Sequence, residues 1–412
     1  MVAVLVFPQR IWADSADYHQ IALNLLAGNG FSMAVAPPFE PTMYREPLYP
    51  LFLAIAYALP GPDMLVARIL QVVLGALTCL LVYRIASALT SDLRVSVLAG
   101  LLIAIHPAAA VYTGHILSET LAAFVLTWGV LLFIRGWQQH SSKYFAAAGI
   151  VLGAAALCKN VMLLFPLVLA AAFVASGLNS ARGTGAPAPR KASFFQSAVL
   201  VGAFLLTLAP WSARNRVLFE TGNISVRGGM VLWARAQTPA MSEEAAQSAM
   251  HNYFRQLRSA GESERAADAK MAQEGLALIR SNPGTYLSGN LGHGLDLWIC
   301  SGSSKLVYSQ HSSGLRGCAV DGLRLAGPLA FTALFSLMLA GGIIWLFPLG
   351  PSVVPLLTVL YLTVVHSFFA LNSCRYGTVV VPIGMLLIAR ALVSLRDSPL
   401  WSRIVRRGER SA

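Results

Sequence analysis

Charge is what this sequence has least of. Only 12% of its 412 residues are Asp, Glu, Lys or Arg, about half of the ~25% usual in soluble domains. Acids are scarcer still, and from Pro47 to Trp211 they are Asp63, Asp92 and Glu119 alone. So long a stretch with so few acids cannot form the surface of a water-soluble enzyme. With 56% hydrophobic residues the chain is not disordered either. Cysteines number five, and no Cys/His set has zinc-ligand spacing. Cys79 and Cys158 fall in apolar runs, where a small filler is the ordinary role. Cys300 and Cys318 fall in a long loop expected on the oxidising side of a membrane, a setting that permits a disulfide. No internal repeat is visible, so neither a fibrous array nor an inverted-repeat transporter is indicated. The formal charge of +12 is scattered at the ends of apolar runs rather than clustered. It speaks for membrane topology and against nucleic acid as a partner.

What is present is a series of apolar runs: Leu65–Leu89, Val95–Tyr112, Thr120–Ile134, Tyr144–Leu157, Val161–Ala175, Phe194–Pro210, Leu323–Phe347, Val353–Leu371 and Thr378–Leu395. Each is read as a membrane span. Met1–Phe7 is apolar too, but seven residues rise only about 10 Å as a helix. It is expected to be the outer end of a first span that begins upstream. The fold class expected is therefore an all-α polytopic membrane protein of about ten transmembrane helices, the first truncated, with two long outer loops carrying short interfacial helices.

Lys and Arg in the short connections set the orientation. With a cytoplasmic N-terminus the inner connections hold Arg84, Arg94, Arg135, Lys143, Arg182, Arg190 and Lys191, and the tail holds Arg396, Arg403, Arg406, Arg407 and Arg410. The expected organisation is an N-terminal transmembrane module over 1–211 that includes a first outer loop, 8–64. An outer helical loop over 212–322, helices over 323–395 and a basic cytoplasmic tail over 396–412 follow. In the large loop, Ser242-Glu243-Glu244 predicts a capped helix start, and Pro283 predicts another. Gly183–Pro189 reads as a linker.

The chemistry-bearing residues gather at the outer ends of the runs. In the first loop Tyr18, Ile21 and Leu25 share one helical face, so Asp14 or Asp17 is expected to cap a short surface helix. Capping suits Asp17. A carboxylate half-buried beside lipid, as Asp14 would be, is costly unless used or paired. Tyr44-Arg45-Glu46-Pro47-Leu48-Tyr49-Pro50 marks a helix start. There Arg45 is either paired with Glu46 at the surface or held ready for an anion. Glu119 opens the Thr120–Ile134 run and is read as a helix-start acid or as a carboxylate convergent with Asp14, an arrangement suited to general-base work on a hydroxyl. Lys159, Arg214 and Arg375 are expected on the same face, as snorkelling anchors or as cations for a phosphate leaving group.

Taken together these segments resemble the GT-C superfamily of membrane glycosyltransferases. The likeness is to the branch containing the protein O-mannosyltransferases, the bacterial lipid A aminoarabinose transferases and the lipopolysaccharide-core sugar transferases. It rests on Asp14-x-x-x-Tyr18, Ala22-x-x-Leu25-x-x-Gly28-x-Gly30-Phe31, Arg45-Glu46-Pro47-x-Tyr49-Pro50, Ser118-Glu119, Ala209-Pro210-Trp211-x-x-Arg214-Asn215 and Arg375-Tyr376. The resemblance implies an inverting hexosyl- or pentosyltransferase of the plasma (inner) membrane with its site on the outer face. The donor would be a polyprenyl-phosphate-linked sugar, mannose-like or a pentose, and the acceptor a hydroxyl of a cell-envelope glycan, lipid or protein. Asp14 would be the catalytic base and Glu119 the second catalytic acid, with Tyr18, Arg45, Glu46, Lys159, Arg214, Arg375 and Tyr376 binding substrate. No cofactor is expected. Divalent metal occurs in the oligosaccharyltransferase branch, but no extra acidic cluster here calls for one. The second position of the Asp-Glu pair common in these enzymes is Ser15. The competing readings are a transporter or flippase of a lipid-linked substrate and a polysaccharide polymerase or ligase.

Overall fold

The computed structural model describes residues 13–58, 61–180, 190–290, 336–345, 350–371 and 373–399. The Met1–Phe7 run, the Gly183–Pro189 linker, Cys300, Cys318, most of the Leu323–Phe347 run and the tail residues Arg403, Arg406, Arg407 and Arg410 lie outside them. Among the described residues every regular element is a helix. Six helices among the described residues are long and apolar enough to cross a membrane, so the chain is an integral membrane protein, and the expected ten is an approximate count.

The first described elements are α1 (Ala13–Leu26) and α2 (Leu48–Ala58), joined by an extended loop. The spans α3 (Met64–Leu89), α6 (Glu119–Gln139), α8 (Phe165–Ser180) and α9 (Arg190–Phe219) follow. Between them lie the shorter apolar α4 (Leu93–Ala104), α5 (Pro107–Tyr112) and α7 (Ser142–Cys158). The large loop folds as α10 (Gly228–Gln237), α11 (Glu243–Ser259) and α12 (Glu264–Ser281), and residues 283–290 are helical as Pro283 predicts. The spans α13 (Val354–Phe369) and α14 (Ser373–Arg396) close the bundle.

The run Val95–Tyr112 is not one span. Pro107 cannot donate to the helix ladder, and the chain breaks at Ile105-His106 into α4 and α5. The broken end is held by Gln71 of α3, whose Nε2 donates to the carbonyls of Thr113 (3.0 Å) and His115 (2.7 Å) while its Oε1 accepts from Tyr49 Oη (2.7 Å). A buried amide inside a span is tolerable because its partners are supplied.

The spans α6 and α14 are the innermost of the described ones, with 72% of the apolar stretch of each buried, against 28% for α3. Helix α7 packs tightly on α9. At Gly149 and Gly153 a Cβ would run into the Leu200 carbonyl and Thr207, so these two glycines, four apart, set how close the helices lie. At one end of the bundle Arg94 binds both Asp92 (2.9 Å) and Asp397 (2.6 Å), joining the α3–α4 connection to the end of α14. At the other end the large loop covers the bundle. There Met43 and Tyr44 of the first loop pack with Met230, Met250, Phe254 and Met271. Glu264 fastens this contact by accepting from Thr42 Oγ1 (2.8 Å) and the Met43 N–H (3.0 Å). The Ser242 cap forms as expected, accepting from the Ala245 N–H at 3.2 Å.

Candidate active site

Three acids occupy the acid-poor stretch, and two of them cap helices. Asp63 accepts from the Leu65 N–H at the start of α3 and Asp92 from the Arg94 N–H at the start of α4. Glu119, the third, stands first in α6, yet its side chain is buried and turned to cations. Lys159 Nζ donates to its Oε1 at 3.0 Å and Arg375 Nε to the same oxygen at 2.6 Å. Lys159 is the residue at which α7 ends, and its ammonium lies 4.2 Å from the centre of the Tyr376 ring.

Arg375, near the start of α14, reaches a second carboxylate: its Nη1 donates to Asp14 Oδ2 at 2.5 Å. Asp14 stands in the first turn of α1. That helix is fixed by Tyr18, Ile21 and Ala22, all buried, and by the edge-on contact of Tyr18 with Tyr49 at 4.9 Å. The other Asp14 oxygen binds Arg45 Nη2. Arg45 also donates through Nε (3.0 Å) and Nη2 (2.6 Å) to Asp17 Oδ2, and its guanidinium lies 5.1 Å from the rings of both Tyr18 and Tyr44. Its Nη1 is buried without a hydrogen-bond partner among the described residues.

These contacts change two sequence expectations. Asp17 lies inside α1 rather than capping it, and it serves Arg45. Glu46 does not pair with its neighbour Arg45; its Oε1 accepts from Ser225 Oγ (3.1 Å), which in turn accepts from Asn160 Nδ2 (3.3 Å). That chain ties the start of α2, the loop before α10 and the turn after Lys159 into one unit.

Asp14, Tyr18, Arg45, Glu46, Lys159 and Tyr376 line one polar cavity of about 60 Å³. Glu119 and Arg375 border it through their ion pairs. Arg214 does not join them. It lies against Trp211 (4.4 Å), Phe31 (5.4 Å) and Phe219 (5.5 Å) and donates to the Thr42 carbonyl (3.1 Å), so it braces the first loop against the large one. The cation that does join them is Arg227, which sequence reasoning missed. It lines the cavity from the residue before α10, 5.5 Å from the Tyr44 ring, and makes no ion pair among the described residues. Gly229 is needed beside it, because a Cβ there would strike the backbone of Asp268.

The electrostatics follow from this crowding. Burial raises the Asp14 pKa, but Arg45, then Arg375 and Arg227, outweigh it and hold the carboxyl well below the ordinary value. Burial pushes the Tyr18 hydroxyl up to about 12, so it stays a donor. The arrangement can keep a carboxylate ionised beside several cations, and it can offer an anion the open Arg45 Nη1. It does not suit a divalent cation. Both Asp14 oxygens and Glu119 Oε1 already accept from Arg or Lys, and a metal would have to displace Arg375. Among the described residues no three His, Cys, Asp or Glu converge.

A profile of the family described as dolichyl-phosphate-mannose-protein mannosyltransferase matches residues 40–185. No curated protein sequence matches the chain. Among solved structures, the oligosaccharyltransferase of Archaeoglobus fulgidus in complex with Zn and sulfate superposes with a TM-score of 0.51 at 16% identity, over 93% of this chain and 45% of that one. The same archaeal protein, AglB, in complex with an inhibitory peptide and a dolichol-phosphate gives 0.52 at 16% identity, over 96% and 48%. ArnT from Cupriavidus metallidurans bound to undecaprenyl phosphate gives 0.40 at 17%, over 94% and 75%. The chain spans about half the length of the oligosaccharyltransferase structures it matches. The fold is thus that of the GT-C membrane glycosyltransferases, as the sequence resemblance implied.

Proposed function

We propose that the protein is an inverting glycosyltransferase that moves a sugar from a polyprenyl-phosphate carrier to a hydroxyl on the outer face of the plasma (inner) membrane. The observation that carries this reading is the bridge of Arg375 between Asp14 and Glu119. It gathers two carboxylates and three further cations, Arg45, Lys159 and Arg227, at the end of the bundle covered by the large loop. A structural relative supports the donor class: AglB has been captured with a dolichol-phosphate. The matched family is described by its use of dolichyl-phosphate-mannose.

Asp14 takes the acceptor proton as the acceptor oxygen attacks the anomeric carbon. The new C–O bond forms on the face opposite the lipid phosphate. The old C–O bond breaks, with its electron pair leaving on the phosphate. Arg45, Arg227 and Arg375 stabilise that growing charge. A carboxylate clamped by arginines is a feeble base, and the donor corrects this. Its phosphate competes for the same guanidinium groups, starting with the open Nη1 of Arg45, and each group drawn away lets the Asp14 pKa rise. Ligand sites usually hold about 300 Å³ or more, so the cavity of about 60 Å³ must open before a sugar enters. The segment that opens α10, with α10 and α11 themselves, contributes Arg227, Gly228, Val231 and Gln247 to its wall.

The charges crowd one end of the bundle rather than the bilayer midplane where a transporter would place them. Purified protein incubated with labelled polyprenyl-phosphate sugars and membrane extract should give labelled product, and Asp14→Asn should slow its formation on the order of 10²-fold or more. Donor uptake into vesicles without product would overturn the reading in favour of a flippase.

A further inference from the structure

A second, larger cavity of about 510 Å³ runs beside the polar one and is not used by the proposed reaction. Its walls are Val72, Ala76 and Cys79 of α3, Ile103 and Ala104 of α4, Ala123 of α6 and Pro382 of α14. These surfaces are apolar. The rim residues Ala76 and Ala104 are exposed, in positions that face lipid. From Val72 to Cys79 the wall spans about 10 Å of helix, which suits a chain rather than a compact solute.

Two polar residues of α6, Glu119 and Thr120, also line this cavity. Glu119 is 1% exposed and Thr120 7%. The Lys159 and Arg375 contacts use only Glu119 Oε1. Glu119 Oε2 and Thr120 Oγ1 have no hydrogen-bond partner among the described residues. Buried polar atoms left unpaired are costly, and two on adjacent residues of one cavity call for a ligand that satisfies both.

We infer that this cavity binds a neutral, membrane-borne alcohol. Its apolar chain lies between α3, α4 and α14, and its hydroxyl donates to Glu119 Oε2 and accepts from Thr120 Oγ1. An ionised phosphate or carboxylate head has no proton to donate to Glu119 Oε2, and two acceptors would face each other. An ammonium head gains little, because Lys159 and Arg375 already balance that charge. A free sugar would leave most of its other hydroxyls poorly paired, because the wall is mainly apolar and the hydroxyls of Thr78, Thr113 and Thr378 already donate to backbone carbonyls. The inference does not depend on sugar transfer, since it rests on the Glu119 oxygen that takes no part in the Lys159 and Arg375 contacts.

The test uses the full chain in lipid nanodiscs with no sugar donor added. The probe is a long-chain primary alcohol carrying a mid-chain diazirine. Photolabelling should map to α3, α4 and α14. Unlabelled alcohol should compete about tenfold better than its methyl ether, the ratio expected from one retained hydrogen bond. Equal competition by the ether would overturn the proposal and leave an apolar crevice open to any chain. Stronger competition by the monophosphate of the same alcohol would overturn it too, in favour of a lipid-phosphate chain. Ala123→Phe should remove the labelling by filling the cavity, and unchanged labelling would place the probe elsewhere. If that variant fails to fold, the near-isosteric Thr120→Val decides. The probe concentration that half-saturates labelling should rise several-fold while the preference over the ether, which the Glu119 bond sets, persists; unaltered saturation would remove Thr120 from the site and sink the proposal.

Discussion

A single guanidinium, that of Arg375, holds both Asp14 and Glu119, through Nη1 at 2.5 Å and Nε at 2.6 Å. The two carboxylates come from helices more than a hundred residues apart, and α14 reaches both only because it is one of the two innermost helices. Arg375→Lys should therefore be far from conservative. An ammonium cannot span both partners in the planar fork geometry. Turnover should fall on the order of 10²-fold, with protein still extracted and monodisperse. Activity near that of the parent in the lysine variant would show that charge alone matters there.

Asp14→Asn removes the charge and keeps the shape. Arg45 retains Asp17 and Arg375 retains Glu119, so neither cation is stranded and thermal stability should change little. Loss of general-base catalysis should cost on the order of 10²-fold or more in kcat. Asp17→Asn, by contrast, loosens only Arg45 and should act on donor KM. If the two variants exchange these phenotypes, the base has been placed three residues too early.

Arg227→Ala should weaken donor binding by about tenfold, a loss of about 1.4 kcal/mol, and leave folding intact because no ion pair among the described residues is broken. Titrating donor analogue against the variant in detergent measures this. Arg214→Ala is the contrast. It sits among Trp211, Phe31 and Phe219, so its loss should lower the melting temperature and spare affinity in the folded fraction. The opposite pattern would return Arg214 to the site and remove Arg227 from it.

The pH profile should separate free and donor-bound states. In the free protein the Asp14 carboxyl is held below its ordinary value of about 3.9, chiefly by Arg45 against the effect of burial. Its ionised form therefore persists as pH falls from 7 to about 5, and kcat/KM should show no acid limb from Asp14 in that window. The associated stability is present above the ordinary carboxylate pKa and is lost only as pH falls through the depressed one. Once phosphate draws the arginines away, the Asp14 pKa rises, so the acid limb of kcat should lie at higher pH than that of kcat/KM. Coincident limbs would mean that the donor leaves the clamp unchanged.

Orientation can be read directly. A reporter after Arg396 should be cytoplasmic, and one within Glu243–Gly261 external. Arg94 already joins Asp92 and Asp397 at one end of the bundle, so a reporter in the α3–α4 connection should agree with the first. Disagreement would overturn the assignment of the site to the outer face.

Much of this was legible in the sequence, because charge in an apolar chain is conspicuous. Asp14, Arg45, Glu119, Lys159 and Arg375 stood out as isolated polar residues at the ends of hydrophobic runs, and they converge. Arg227 did not stand out. It lies in a polar loop among several arginines, and only the glycine pair after it hinted at a close approach. Arg214 was misplaced for the opposite reason. Its position beside Pro210-Trp211 at the end of a span is shared by anchors and ligands alike, and only the surrounding rings separate the two. The break at Pro107 was available from proline chemistry, but the apolar residues on both sides of it made the run look continuous.

The close seating of α7 on α9 through Gly149 and Gly153 works as a vernier. Lys159 ends α7 ten residues beyond Gly149, about 15 Å along the helix, and has no freedom to choose its own height. A slip of one residue between the two helices would raise or lower the ammonium by about 1.5 Å and swing it through about 100°, off Glu119 and off the Tyr376 ring. The setting of the ammonium in the site is therefore made by two residues that carry no side chain at all. Any substitution there would be felt first at the far end of the helix.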